Sequence, residues 1–316
     1  MTLPRLLCVG AALVATAAGL TASVPSARAA QVTLGIGQQT IEIFRSPEWH
    51  ALKAPDVRYV TPWDTANDPA QLDKLDTWMT AAREAGARVM IGFHRSHRSA
   101  REANRLPTLR QYRRAFEKLH ERYPDVRIWI PWNEANNAGS LTGRNPKRAA
   151  GFYNVVKDVC PRCQVVAGDV LDQRNLERWL TRYKRHLKSR PTIWGLHNYH
   201  DANQRIDRST RLMLRLTRGQ LWFTETGGVV KMRVQGKDGM ITKNYGIRRA
   251  AKATRHVLNL SRISRRITRI YLYHWLAPSR FTTWDSALTN SKMQPRMTYR
   301  VVRHWLKNAR RTRLAR

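Results

Sequence analysis

The sequence predicts a single (β/α)8 barrel. Three observations lead there. Short β-prone runs recur along the chain with helical patterns between them. Most connections are too long for hairpins and suit crossover helices, which makes neighbouring strands parallel. The 316 residues fall in the usual range for one barrel and can bury a large core. A doubly wound sheet uses the same alternation, but eight strand-helix units fit a closed barrel better.

The eight runs are 32–37, 57–62, 88–93, 126–132, 164–168, 192–197, 220–224 and 269–275. Helix starts are marked between them. Asp68 precedes Pro69, Asn145 precedes Pro146, and Thr108 with Gln111 three residues on forms a capping box. Gly86 closes the helix that opens at Pro69. No accessory domain is expected, so residues 30–316 read as one catalytic barrel with a basic tail.

Residues 1–29 read as an export signal: Arg5, an apolar stretch over 6–24, then Ala27-Arg28-Ala29 as a small-x-small cleavage site. Cys8 lies within that segment. No later apolar run approaches the roughly 20 residues that span a bilayer, so no transmembrane anchor is expected after cleavage. A secreted or envelope-associated protein follows. In such an oxidising compartment Cys160 and Cys163 are expected to form a short disulfide. A redox pair would place Cys-x-x-Cys after a strand and at a helix start, and here that order is reversed.

Charge adds a second theme: 57 Lys and Arg against 22 Asp and Glu give a formal net charge of +35. A surface of this kind attracts polyanions, including anionic cell-envelope polymers. Runs at 182–186, 262–269 and 310–313 are expected on solvated helix faces or at the terminus. No zinc-finger spacing, RNA-binding signature or aromatic-basic interleaving makes nucleic acid the specific partner.

Two stretches carry the chemistry. Trp129-Ile130-Pro131-Trp132-Asn133-Glu134 and Trp222-Phe223-Thr224-Glu225-Thr226-Gly227 each end a β-prone run on a glutamate. A carboxylate is costly in an aromatic setting unless hydrogen bonds replace its water, so two at matching strand ends suggest a working pair. One alone reads as a cap or an arginine partner. A barrel gathers its active site at these strand ends. Around the glutamates they supply Gln38, Gln39, Trp63, Asp64, His94, Arg95, His97, Asp169, Asp172, His197, Tyr199, His200, His274 and Trp275. Indole platforms, amides and carboxylates suit a carbohydrate substrate. The His94/His97 and His197/His200 pairs do not share a face on a strand, so neither is expected to chelate a metal, and no cofactor is implied. No Gly-x-Ser-x-Gly elbow supports a serine hydrolase.

With these residues the chain resembles the clan A superfamily of retaining glycoside hydrolases, which includes many cellulases, mannanases and xylosidases. The likeness covers the whole mature barrel. It implies Glu134 as acid/base after Asn133 on the fourth strand and Glu225 as nucleophile ending the seventh. It further implies Tyr199 beside the nucleophile, Trp275 under the sugar at the cleavage point, and Asn133 bonded to the hydroxyl next to the anomeric carbon. Trp63, Trp132, His94 and His197 complete the expected substrate-binding set. Two departures stand out: Ala135 follows the acid/base where proline is common, and the second strand ends in Thr61-Pro62-Trp63-Asp64 without the arginine that many members place there. Arg95 is the expected substitute. Glu134 should carry a raised pKa from the charge of Glu225 and the surrounding tryptophans. A secreted barrel that binds anionic polymers without turnover is the alternative reading.

Overall fold

The computed structural model describes residues 32–236, 239–280 and 283–314. Residues 1–29, expected to be an export signal, lie outside the described residues, as do the side chains of the basic run 310–313. Eight parallel barrel strands are present: Thr33–Gly37, Asp56–Pro62, Arg88–His94, Ile128–Ile130, a fifth in two pieces (Gln164–Val165 and Ala167–Leu171), Ile193–His197, Gln220–Thr226 and Ile267–Tyr273. The two pieces of the fifth strand form the two ends of the sheet order, one pairing with the fourth strand and the other with the sixth. At the break, Val166 donates its N–H to the Trp129 carbonyl, so the circle closes through one continuous stretch of chain.

The helix starts fall where the sequence places them. Asp68 accepts from the Gln71 N–H at the head of Pro69–Glu84, and Asn145 accepts from Arg148 at the head of Pro146–Val159. Thr108 and Gln111 exchange both bonds of the capping box on Leu109–Arg122. Gly86 adopts φ of 65°, the left-handed conformation that ends a helix without a Cβ penalty. Cys160 and Cys163 are joined by a disulfide at the turn from Pro146–Val159 into the fifth strand. Among the described residues no helix is long and apolar enough to cross a membrane.

Strand pleating sorts side chains into two layers. Outward residues such as Val57, Tyr59, Ile91, Phe93, Trp129, Leu221 and Phe223 pack under the helices in one large cluster. Inward residues Met90, Ile128, Ile130, Val166, Ile193, Trp222 and Tyr271 form a separate cluster inside the barrel. Gly35 makes room for this inner layer, because a Cβ there would lie 2.5 Å from the Tyr271 ring. Below that layer Asp56 is fully buried and takes Arg88 and Arg269, at 2.5 and 2.8 Å. Arg269 also lies over the Trp222 ring.

Two expectations change here. The run 262–269 is not a solvated helix face: Arg266 donates to the Gly219, Leu214 and Thr217 carbonyls, and Arg269 enters the barrel. The chain also adds a small antiparallel sheet absent from the expected eight strands, made of Lys231–Gly236, Gly239–Asn244 and Trp284–Asp285. It grows from the loops that follow the seventh and eighth strands.

Gly35→Ala should destabilise the fold by about 1–3 kcal/mol, since the new methyl meets a packed ring rather than open space. Thermal and urea unfolding check this, and unchanged stability would mean that the inner layer is loose at this level.

Candidate active site

Arg58 organises the mouth of the barrel. It is the second inward residue of the second strand and only 1% exposed. Its guanidinium donates to Glu225 Oε2 at 2.6 Å and to Asn133 Oδ1 at 2.5 Å. It also lies 3.5 Å from Asp169 Oδ2 and 3.4 Å from His197 Nε2. Bridges from the second strand thus reach the ends of the fourth, fifth, sixth and seventh. Arg95, expected in this role, is exposed. Arg58 lies well inside its strand and not at its end, where the sequence reading looked. The available signal was an arginine two residues from Asp56 on the inward face of an otherwise apolar strand.

Glu225 is held from two sides, by Arg58 on Oε2 and by the Tyr199 hydroxyl, which donates to Oε1 at 3.1 Å. Glu134 has a left-handed φ of 48°, as does Asp169, and Gly168 before it has φ of 81°. Non-glycine residues in this region carry strain of order 1 kcal/mol or more and cluster at functional sites. The surrounding loop fixes Glu134 firmly. Asn137 Nδ2 donates to Glu134 Oε2 at 2.9 Å, and buried Asn136 bonds both the N–H and the carbonyl of Leu171. One oxygen of Glu134, one of Glu225 and a ring nitrogen of His197 all lie within 4.8 Å of one another.

His197 lies beneath this pair. Its Nε2 is 3.2 Å from Asp169 Oδ2, and its Nδ1 is 3.5 Å from Glu134 Oε1 and 4.0 Å from Glu225 Oε2. Burial pushes the imidazole pKa down, but the nearby Asp169, Glu225 and Glu134 carboxylates lift it to about 10. Burial likewise raises Asp169, yet His197 and Arg58 hold it at about 2. Burial lifts Glu134, but His197 and the Asn137 amide outweigh that and leave its carboxyl below the ordinary value. This corrects the expected raised pKa: the neighbouring imidazole and amide hold the Glu134 carboxyl down. Gly195 makes the cluster possible, because a Cβ there would meet Asp169 Oδ1 at 2.8 Å and Thr224 Oγ1 at 2.9 Å.

Several expected substrate contacts face elsewhere. Trp275 is fully buried against Tyr299, so it offers no platform to a ligand. Trp132 is buried on Phe152, with its indole N–H on the Ser140 carbonyl. His197 is 0% exposed and serves the carboxylates rather than a sugar. Gln38 accepts from the Trp275 and Leu276 N–H groups, and Gln39 pairs with the Val60 backbone, so both anchor loops. Asp64 takes the Ser96 hydroxyl. Asp172 and Asp201 accept backbone N–H groups, and Asp201 thereby heads the helix Arg208–Leu216. Asn133, Tyr199, Trp63 and His94 keep partial exposure. His94 packs against His97, and burial lowers its pKa to about 3. Two aromatics the sequence reading missed complete the mouth: Tyr273, whose phenol feels the charges of Glu225, Arg58 and Glu134, and Trp284, edge-on to Tyr199 at 4.8 Å. Trp284 comes from the small added sheet, which explains why strand-end counting passed over it.

A cation is poorly served by the Glu134, His197 and Glu225 group, because Arg58 and the protonated imidazole already neutralise it. The arrangement suits two closely spaced carboxyl groups acting on one bond.

No protein-family description and no curated protein matches the chain. Solved structures do. It is similar to GH5_18 from Streptomyces cattleya in complex with GlcNAc, at 15% identity and a TM-score of 0.65, covering 89% of this chain and 81% of that one. It is similar to xylanase 10B from Thermotoga maritima, at 12% identity and 0.62, covering 88% and 95%. It is also similar to a family 39 glycoside hydrolase from Bacteroides cellulosilyticus WH2, at 15% identity and 0.57; 87% of this chain is covered, but only 63% of that enzyme's length. At these identities the shared property is the fold, a (β/α)8 barrel.

The His197 environment sets a pH dependence. Folding raises the proton affinity of His197 from an ordinary 6.5 to about 10, so its stabilisation is fully present below pH 6.5 and is lost as pH climbs through 10. The gap in melting temperature between wild type and His197→Gln should be widest near pH 6 and shrink toward pH 10. A gap that stays constant over that range would show that the ring is neutral in the folded protein.

Proposed function

We propose that this protein is an exported retaining glycoside hydrolase in which Glu225 is the nucleophile and Glu134 the acid/base. The observation that carries this reading is the carboxylate pair itself, with oxygens within 4.8 Å at the ends of the fourth and seventh strands. Retaining enzymes keep their two carboxyl groups about 5–5.5 Å apart, whereas inverting enzymes need about 6.5–9.5 Å to admit a water. The clan A fold and the Cys160–Cys163 disulfide, which suits an oxidising compartment, support it further.

In this reading Arg58 and Tyr199 hold Glu225 aimed at the anomeric carbon. Asn133, with its carbonyl oxygen held by Arg58, turns its amide N–H toward the neighbouring sugar hydroxyl. Glu134 collects the proton stored on His197, 3.5 Å away, and delivers it to the departing oxygen as Glu225 bonds to carbon. Esterification of Glu225 then removes one of the charges that raised His197. Glu134 takes a proton from water, the water oxygen attacks the anomeric carbon, and the Glu225 ester bond breaks with retention. Tyr273, Trp284 and Trp63 are the aromatic faces available to sugar rings.

Glu225→Gln should abolish hydrolysis across a panel of neutral and uronic-acid polysaccharides. Glu134→Gln should slow natural linkages by about 10²–10⁴-fold while sparing the first step with dinitrophenyl glycosides, whose leaving group needs no proton. Binding of polysaccharide without cleavage by the wild type would replace the enzyme with the non-catalytic scaffold.

A further inference from the structure

Beside the carboxylate site, on the same face of the barrel, lies a cavity of about 550 Å3 lined by Asn203, Gln204, Arg205, Tyr245, Arg248, Arg249, Lys252 and Ala253. Four of these side chains are cationic and none is acidic. Arg205, Arg248, Arg249 and Lys252 are all exposed, and among the described residues none of them pairs with a carboxylate. These four exposed cations share one concavity with no counter-charge there, in a protein that is basic throughout.

The walls are fixed. Arg249 lies over the Tyr245 ring at 4.7 Å. Asn203 bonds the Tyr199 and Gly227 carbonyls and accepts from the Val229 N–H. These bonds place the cavity directly behind Tyr199, which orients Glu225, and behind the loop that leaves Glu225. The helix Ile247–Leu260 opens at the cavity with Gly246 before it and no side-chain cap, so its first N–H groups add to the positive field.

We propose that this cavity is a subsite for an anionic group on an acidic polysaccharide, a carboxylate of a uronic acid unit in the same chain whose glycosidic bond the Glu134/Glu225 pair cleaves. The proposal rests on the glycosidase reading and assigns its substrate class. Arginine forks match a carboxylate with two parallel N–H···O bonds, and the cavity is large enough for a sugar unit. It lies at the segments that follow the sixth and seventh strands, the same segments that carry Tyr199 and leave Glu225.

The test measures binding apart from turnover. Glu225→Gln protein, otherwise full length and folded, is titrated with tetragalacturonate and with cellotetraose. The same titrations follow with Arg205→Gln, Arg248→Gln and Arg249→Gln added together. These exposed positions make misfolding easy to detect by melting temperature, and a control with Arg182→Gln, Arg185→Gln and Arg190→Gln removes as many exposed charges elsewhere. Tetragalacturonate should bind in a salt-sensitive manner and lose at least about tenfold in affinity in the cavity variant but not in the control. Cellotetraose should be unaffected by either set. Equal loss in both triple variants would overturn the subsite and leave only the general charge. An oligonucleotide of matched charge that binds as tightly through the same three arginines would overturn the polysaccharide assignment. Wild-type cleavage of neutral glycans alone, with no cavity-dependent binding of the uronate, would remove the subsite and keep the enzyme. Cavity-dependent binding with no cleavage of any glycan would remove the enzyme reading on which the proposal rests.

Discussion

Everything at the mouth of this barrel depends on one buried cation. Arg58 is almost completely removed from water, a state that is affordable only because its N–H groups reach carboxylates and amide oxygen on other strands. Removing one partner of such a cluster leaves an unpaired buried charge, so the network behaves as a unit. Its second cation, protonated His197, sits below the two glutamates and joins them to Asp169. Three carboxylates and two cations thus share one small volume with a single excess negative charge.

The fold was legible because its signals are local. Caps at Asp68, Thr108 and Asn145 are set by hydrogen bonds a few residues long, and each appears where the sequence puts it. Strand positions followed from short apolar runs, and the two glutamates from their placement at run ends. The errors have a common physical origin as well. A residue just past a strand end can turn toward the cleft or under the helices, and linear order does not say which. Trp132 and Trp275 turned under the helices. Arg58 and His197 gain their roles from partners on other strands, which no local window along the chain contains. The added hairpin was readable in retrospect from the alternation over 231–235 followed by Gly236-Lys237-Asp238-Gly239.

The layering also explains why a barrel can carry this much buried charge. Between the Asp56 cluster below and the Arg58 cluster above lies the apolar inner layer of Met90, Ile130, Trp222 and Tyr271. It separates the two ionic groups by a low-dielectric plug and keeps water from connecting them. The upper cluster is then free to titrate by itself, while the lower one serves to hold the second strand to the third and eighth.

The uneven use of acidic side chains has a consequence for the whole molecule. The chain has only 22 Asp and Glu, and several are committed to the interior: Asp56, Asp64, Asp169, Asp172, Asp201 and Asp285 are all buried. The outer shell is therefore more lopsided in sign than the composition implies. Its cations repel one another, and that repulsion is relaxed by expansion of the chain. Dissolved salt, or any acidic matrix in which the protein resides, screens it and favours the compact form. For this protein the surrounding medium acts as a missing structural component, and its folding equilibrium is a property of the protein together with its counterions.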